Sequence, residues 1–130
     1  MHILKFAEHT FLTGFRLTAQ LFAARDPQEM LAVIRAADDR VAGSPLNALY
    51  FRRHLIERAL RNGDWALATA QADILEREAG HVLYAAFVAE RGRALAAWGR
   101  GERGPELRAE LALLRERAHA AGVRAPFPDA

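Results

Sequence analysis

The side chains that most often carry acid–base, nucleophilic or metal chemistry are few and scattered in this chain of 130 residues. No two histidines lie four residues apart with a glutamate between them, which is the spacing of a zinc protease helix. The chain has no cysteine, and its one serine, Ser44, directly precedes Pro45 at a predicted helix start. We therefore predict no catalytic residue, no metal site and no cofactor. The histidines, which we expect at surfaces or in turns, are His2, His9, His54, His81 and His119.

Other residues that could act chemically also fit structural roles. The acidic pairs Asp38–Asp39 and Glu76 with Glu78 lie at spacings that point to different sides of a helix, so we expect them to be solvated. Trp65 and Trp98 fall on the apolar stripes of their predicted helices. We expect both rings to pack in the core and not to stack on a ligand.

The composition predicts an all-α fold. Hydrophobic residues make up 52% of the chain and charged residues 26%, as in ordinary globular domains. Alanine, the best helix former, supplies much of the apolar content, and no stretch alternates convincingly with the period of a strand. The net charge is only +2, and arginine and glutamate are interleaved along the predicted helices. This pattern indicates solvated helix faces and makes a nucleic-acid partner unlikely.

No segment predicts a membrane or secretory destination. No apolar run approaches the roughly 20 residues of a membrane-spanning helix. Residues 1–8 lack the apolar core and the cleavage site of a secretory signal. The absence of cysteine is compatible with a reducing compartment. We therefore expect a cytoplasmic protein without a membrane partner.

The stretch from Tyr50 to Gly80 predicts a helical hairpin around which the chain is arranged. Apolar residues recur at helical spacing before and after the turn Asn62–Trp65. Gly63 can take the left-handed conformation that ends a helix, and Asp64 can cap the helix that follows. Further breaks divide the chain into six predicted helices; they lie at Asp26–Pro27, Ser44–Pro45, Gly80, Gly99–Gly104 and Gly122.

Three segments follow from these breaks. We expect an N-terminal extension or frayed helix start over residues 1–9 and a helical domain over residues 10–122. Residues 123–130 carry two prolines, Pro126 and Pro128, and predict an irregular tail. We expect Phe127 to fold back over the last helix.

The turns inside the predicted hairpins recur at a regular interval. They fall near Arg25–Asp26, Gly63–Asp64 and Gly99–Arg100, about 36 to 38 residues apart. This interval is close to the roughly 34 residues of a tetratricopeptide repeat. Asn62–Trp65 resembles that family's turn of glycine, acidic residue and aromatic, and Ala68 falls at its small position where helices approach most closely. The chain thus resembles a tetratricopeptide array, which implies three antiparallel helical hairpins stacked as a short right-handed solenoid.

The chain differs from the tetratricopeptide pattern at some positions, and one stretch resembles a second group of proteins. Ile56 stands where the family prefers a small residue, and Arg52 stands where it prefers an aromatic. In the third unit, Gly92 falls at the small position and Gly99 at the turn glycine. The stretch Arg91–Gly99 also resembles repeat segments at the C-terminal ends of large bacterial regulatory ATPases and cyclases.

The resemblance implies a groove for a protein or peptide partner. In tetratricopeptide arrays the first helix of each pair lines a concave groove that usually grips a peptide. In such a groove Arg53, Arg61 and Arg93 of this chain can hold carboxylates in bidentate fashion. The family's lysine and asparagine clamp for a C-terminal carboxylate is absent. The residues that map to the groove are Tyr50, Arg53, Glu57, Arg61 and Arg93, with Ala89, Ala96 and Ala97 leaving room for a bulky group.

The N-terminal edge is rich in phenylalanine. The first predicted helix carries Phe11, Leu12, Phe15 and Phe22 on one broad face, more than packing on one neighbour requires. We expect this edge to mediate self-association as a homodimer, or to pack on upstream repeats if the chain is a fragment of a longer array. Residues 1–9 folding back as a lid is the alternative.

We therefore expect a non-enzymatic interaction module, a scaffold or adaptor. A ligand-sensing regulatory domain or a fragment of a larger signalling ATPase or cyclase is the alternative. An enzyme or metal protein built on a helical bundle is a third.

Overall fold

A computed structural model describes residues 19–20, 23–41 and 44–129 of the chain. This part of the chain is helical and contains no strand. Its helices are α1 (Pro27–Val41), α2 (Pro45–Arg61), α3 (Trp65–Ala79), α4 (Leu83–Gly99) and α5 (Pro105–Ala120). None of these described helices combines the length and the apolar character needed to cross a membrane. The all-α prediction is thereby confirmed, whereas the extension over residues 1–9 lies outside the described residues.

The helices begin where side chains can accept hydrogen bonds from the first backbone N–H groups. The N–H of Asn47 donates to Ser44 Oγ at 3.4 Å, and the N–H of Leu67 donates to Asp64 Oδ1 at 3.1 Å. At α1 the N–H of Glu29 donates to Asp26 Oδ1 at 2.9 Å. The cap that the sequence predicts at Asp64 is therefore present, and Asp26 and Ser44 accept hydrogen bonds at the starts of α1 and α2 in the same way.

Three helices end at a glycine with positive φ. Gly63, Gly101 and Gly122 have φ of 72°, 102° and 71°. At each, the N–H of the following residue bonds back to a carbonyl five residues earlier, for example Asp64 to Ala59 at 2.9 Å. The prediction that Gly99 is the third turn glycine is wrong, because Gly99 is the last residue of α4. A Cβ there would lie 2.6 Å from the ring carbons of Trp65, so close packing explains this glycine.

The core lies mainly among α2, α3 and α4. α3 contacts both α2 and α4, and α2 also contacts α4 directly. α1 packs on α2, and α5 packs on α4. Trp65 and Trp98 are half-buried in apolar clusters, as predicted. The largest buried apolar side chains of α2 to α5 are Phe51, Leu55, Ile56, Leu75, Phe87, Val88, Leu111 and Leu114.

Small residues let these helices approach closely. Ile56 of α2 points at Gly92 of α4, where an added Cβ would lie 2.9 Å from Ile56 Cγ2. Ala68 of α3 is fully buried with Ala59 of α2 and Ala96 of α4. The large residue at position 56 is thus matched by a missing side chain at position 92, which keeps the packing dense.

Arg52 links three helices from inside the protein. Its side chain is 1% exposed and donates to Gln71 Oε1 at 2.8 Å, Asp38 Oδ1 at 2.9 Å and Glu78 Oε1 at 3.0 Å. These acceptors come from α1 and α3. The sequence pattern predicts that both acids are solvated. Asp38 keeps 50% of its side chain exposed while it pairs with Arg52, whereas Glu78 is only 14% exposed because it packs beside the buried guanidinium.

We predict that Arg52→Ala lowers the free energy of unfolding by about 3 kcal/mol or more, because removing one partner leaves a carboxylate at the buried site without compensation. Urea denaturation followed by circular dichroism measures this loss. Arg35→Ala changes an exposed residue of α1 and should alter the free energy by less than about 0.5 kcal/mol. A loss as small as that of the control would contradict the buried network.

Candidate functional site

The residues after α5 turn back and cross the surface formed by α2 and α4. We call residues 123–129 the tail. Phe127 packs against the main core cluster, as do Val123 and Ala125. The segment Pro126–Pro128 lies against Glu57, Leu60 and Arg61 of α2 and Arg91 and Leu95 of α4. These five helix residues form what we call the tail-binding face.

The local sequence explains why the tail is extended. Gly122 ends α5 in the left-handed conformation, and the N–H of Val123 bonds back to the carbonyl of Ala118 at 2.8 Å. Pro126 and Pro128 fix their own φ and bias the residues before them towards extended conformations. The tail accordingly contains no helix and no strand. Residues 123–129 are thus irregular, and Phe127 lies back against the core cluster to which α5 contributes.

Arg91 of α4 holds the tail by its backbone. The residue is only 6% exposed. Its Nη2 donates to the carbonyl oxygen of Pro126 at 2.7 Å and its Nε donates to the same oxygen at 3.3 Å, while Nη1 binds the carboxylate of Glu57. Because the acceptor in the tail is a main-chain carbonyl, this contact selects an extended segment more than a particular side chain.

A second arginine and an aromatic ring add further contacts between the tail and the helices. Arg115 of α5 donates from Nη2 to the carbonyl oxygen of Pro128 at 2.7 Å. The guanidinium carbons of Arg91 and Arg115 lie 5.4 Å and 5.8 Å from the centroid of the Phe127 ring. Both distances fall within the range of cation–π attraction. The tail is therefore bound through two carbonyls and one aromatic anchor.

A pocket of about 340 Å³ remains between α2, α4 and the tail. We call it the α2–α4 pocket. Its α2 wall is polar and consists of Arg53, His54, Glu57 and Arg61. Its α4 wall is largely apolar and aromatic and consists of Tyr84, Phe87, Val88 and, at one end, Arg91. The tail from Val123 to Pro126 forms the third side.

The α2–α4 pocket has an excess of positive charge. Among the described residues that line it, Glu57 is the one acidic side chain, and Arg91 binds that carboxylate. Within the described part of the chain, Arg53, Arg61 and Arg124 have no hydrogen-bond or ion-pair partner for their guanidinium groups. The pocket therefore presents cations that nothing in the described chain neutralises.

His54 lies in this wall, and its pKa reports the local field. Partial burial lowers the pKa of His54 below the ordinary 6.5, and the charges of Arg53 and then Arg61 lower it further. Glu57 acts in the opposite direction. The ring also contacts Tyr50 edge-on, with the centroids 5.2 Å apart. The neutral imidazole is thus the favoured form in the folded protein.

The structure brings together part of the set that the sequence predicts. Arg53, Glu57 and Arg61 share the α2–α4 pocket, and Tyr50 adjoins it through His54. Arg93 lies elsewhere and pairs with Asp73 at 3.3 Å and Glu76 at 2.6 Å on α3.

The alanines predicted to line the groove do not line the α2–α4 pocket, and the predicted phenylalanine-rich edge is not described by the structure. Ala89 and Ala96 are fully buried in helix packing, so neither leaves room for a ligand side chain. The predicted self-association residues Phe11, Leu12, Phe15 and Phe22 lie outside the described residues. That interface stays a prediction.

Sequence reasoning does not identify several members of the site. It predicts His54 as a surface or turn histidine and assigns no role to Arg91 or Arg124. A signal for His54 exists, because it follows Arg53 on a helix that repeats charged residues every four positions up to Arg61. No local signal identifies Arg91, since its partner Pro126 is 35 residues away.

Comparison with known proteins adds no relationship: no protein-family model, no curated protein and no solved structure matches this chain. Among the described residues, no group of three or more histidine or acidic side chains is placed to hold a metal ion.

We predict that His54 titrates below pH 6.5 in an NMR pH titration of the imidazole Cε1 proton. Arg53→Gln should raise the pKa, because it removes the larger of the two charge effects. The protonated form is disfavoured in the fold, so the free energy of unfolding should fall as the pH drops from about 7 through the pKa of His54.

Arg77→Gln on α3 is the matched control, since Arg77 is exposed and does not line the pocket. It should leave the titration of His54 unchanged. A His54 pKa at or above 6.5 in the unmodified protein would contradict the described pocket.

Proposed function

We propose that this chain is a non-enzymatic protein-interaction module whose tail-binding face takes an extended, proline-containing peptide segment. The observation that carries the proposal is the hold on the tail, in which Arg91 and Arg115 donate to main-chain carbonyls at 2.7 Å. A surface that binds one extended segment through its backbone has the donors to bind another. The tail is then an internal occupant of a peptide site.

The arrangement of the helices supports a stacked-hairpin scaffold for this face. Each described helix contacts the next one along the chain, and α2 also contacts α4. Contacts between alternate as well as successive helices are what tetratricopeptide hairpins stacked as a right-handed solenoid would make, because the first helices of successive units then form one continuous surface. In this proposal α2 and α4 are those first helices, and their shared surface is the groove.

The tail shows which chemistry suits the face. Pro126 and Pro128 hold the segment extended at low entropic cost, and Phe127 enters the apolar surface between them. Arginine is suited to the recognition because its planar fork carries two donors to one carbonyl while its face meets the ring. We infer that partners present an aromatic residue between prolines.

The tail also competes with such a partner. A segment attached to the same chain acts at a high effective concentration, about millimolar for a short flexible link, so a partner must displace it or bind more tightly. The self-association predicted for the phenylalanine-rich edge is a separate interface in this proposal. The absence of cysteine from the chain fits a cytoplasmic location.

The test is binding in trans of a fluorescent peptide that copies residues 122–129, measured by anisotropy. The chain with Phe127→Ser has lost its own anchor and should bind the peptide. The unmodified chain should bind it much more weakly, because its tail occupies the face. In the Phe127→Ser chain, Arg91→Lys should weaken binding by about tenfold, since lysine keeps the charge but loses the fork.

Arg93→Lys is the matched control, because it makes the same change on α4 at a residue that pairs with α3. It should leave peptide binding unchanged. The circular dichroism spectra of all variants should show the same helicity as the unmodified chain. Absence of binding to the Phe127→Ser chain, or equal effects of the changes at Arg91 and Arg93, would reject the proposed function.

A further inference from the structure

The α2–α4 pocket is a cavity that the tail lines on one side but does not fill. Its volume of about 340 Å³ falls at the lower end of the roughly 300–1,000 Å³ typical of small-ligand sites. Tyr84, Phe87 and Val88 supply an apolar wall, and polar side chains stand on the opposite wall. Such a cavity suits a ligand with an apolar body and one polar end.

The polar wall specifies the sign of that end. Arg53 and Arg61 lie on one face of α2, about 12 Å apart along the axis at 1.5 Å per residue, and Arg124 approaches from the tail. None of the three has an acidic partner in the described part of the chain, whereas Glu57 is bound to Arg91. An anion placed among them would remove the repulsion between these cations.

The pocket walls suit a carboxylate better than a free phosphate. Tyr84, Phe87 and Val88 can contact an apolar body, which a free phosphate lacks. The planar guanidinium fork matches the two oxygens of a carboxylate. Burial and the charges of Arg53 and Arg61 lower the pKa of His54, so at neutral pH its ring adds no positive charge to this wall.

We propose that the α2–α4 pocket is a carboxylate-binding site in which Arg53, Arg61 and Arg124 hold the anion and Tyr84, Phe87 and Val88 hold the apolar body. The carboxylate can belong to a small molecule or to an acidic side chain of a bound peptide. The second source deepens the proposed function and rests on it, whereas the first does not need a peptide.

The first arm of the test uses benzoate as the probe and benzamide as its neutral counterpart, followed by NMR of the full chain. Benzoate should bind in the millimolar range, raise the pKa of His54 and lose affinity as salt increases. The double variant Arg53→Gln with Arg61→Gln should weaken binding by about tenfold or more. Arg77→Gln, outside the pocket, should bind benzoate like the unmodified chain.

The second arm places a carboxylate on the peptide itself. Arg124→Glu puts an acidic side chain at the pocket from the tail, and Arg124→Gln is its neutral control. If a peptide carboxylate is accepted, the Glu variant should have the higher urea midpoint and should bind benzoate about tenfold less well than the Gln variant. This difference in midpoint should vanish when Arg53 and Arg61 are also changed to glutamine.

The results of the two arms distinguish a free carboxylate ligand from a carboxylate on a bound peptide. Binding of benzoate that depends on Arg53 and Arg61 supports a site for free carboxylates. A stabilising Arg124→Glu without benzoate binding supports a peptide carboxylate. Benzamide binding as tightly as benzoate, or no dependence on Arg53 and Arg61 in either arm, overturns the proposal. Binding of the tail peptide in trans depends on Arg91, so the proposed function can fail or hold independently.

Discussion

The buried guanidinium of Arg91 is the constraint on which the tail-binding face depends. A charge that is only 6% exposed costs several kcal/mol in desolvation unless partners surround it. α2 supplies the carboxylate of Glu57, and the tail supplies the carbonyl of Pro126 and the ring of Phe127. Neither partner alone occupies all its donors. The position of the tail therefore follows from the need to satisfy an arginine that the helix packing has buried.

Arg52 is a second buried arginine, and its partners come from α1 and α3. It ties α2 to α1 and α3 through Asp38, Gln71 and Glu78, and so fixes the helix that carries the polar wall of the α2–α4 pocket. Close packing of Ile56 on Gly92 then sets the distance from α2 to α4.

Local features of the fold were predictable from sequence, and contacts between distant residues were not. The caps at Ser44 and Asp64 and the glycine stop at Gly63 depend on neighbours within five residues, so their pattern is visible in the chain. The stripe of Arg53, Glu57 and Arg61 follows from helical spacing alone.

The sequence pattern does not reveal contacts whose partner is far away in sequence. The register of the proposed repeat maps Arg93 to the groove, and the structure pairs it with α3. Arg91, two residues earlier and so on nearly the opposite side of α4, contacts the tail. The same limit applies to Gly99, whose role depends on the ring of Trp65 34 residues before it. A repeat period can identify helices, but it does not decide which face of each one is covered.

The measurement that tests the central claim most directly is a NOESY spectrum of the isotopically labelled full chain. The account predicts cross-peaks from the ring protons of Phe127 to the methyl groups of Leu60 and Leu95, which lie in the same cluster. It also predicts upfield shifts for the side-chain protons of Arg91, whose guanidinium carbon lies 5.4 Å from the ring centroid. A tail with random-coil shifts, narrow lines and no such cross-peaks would contradict it.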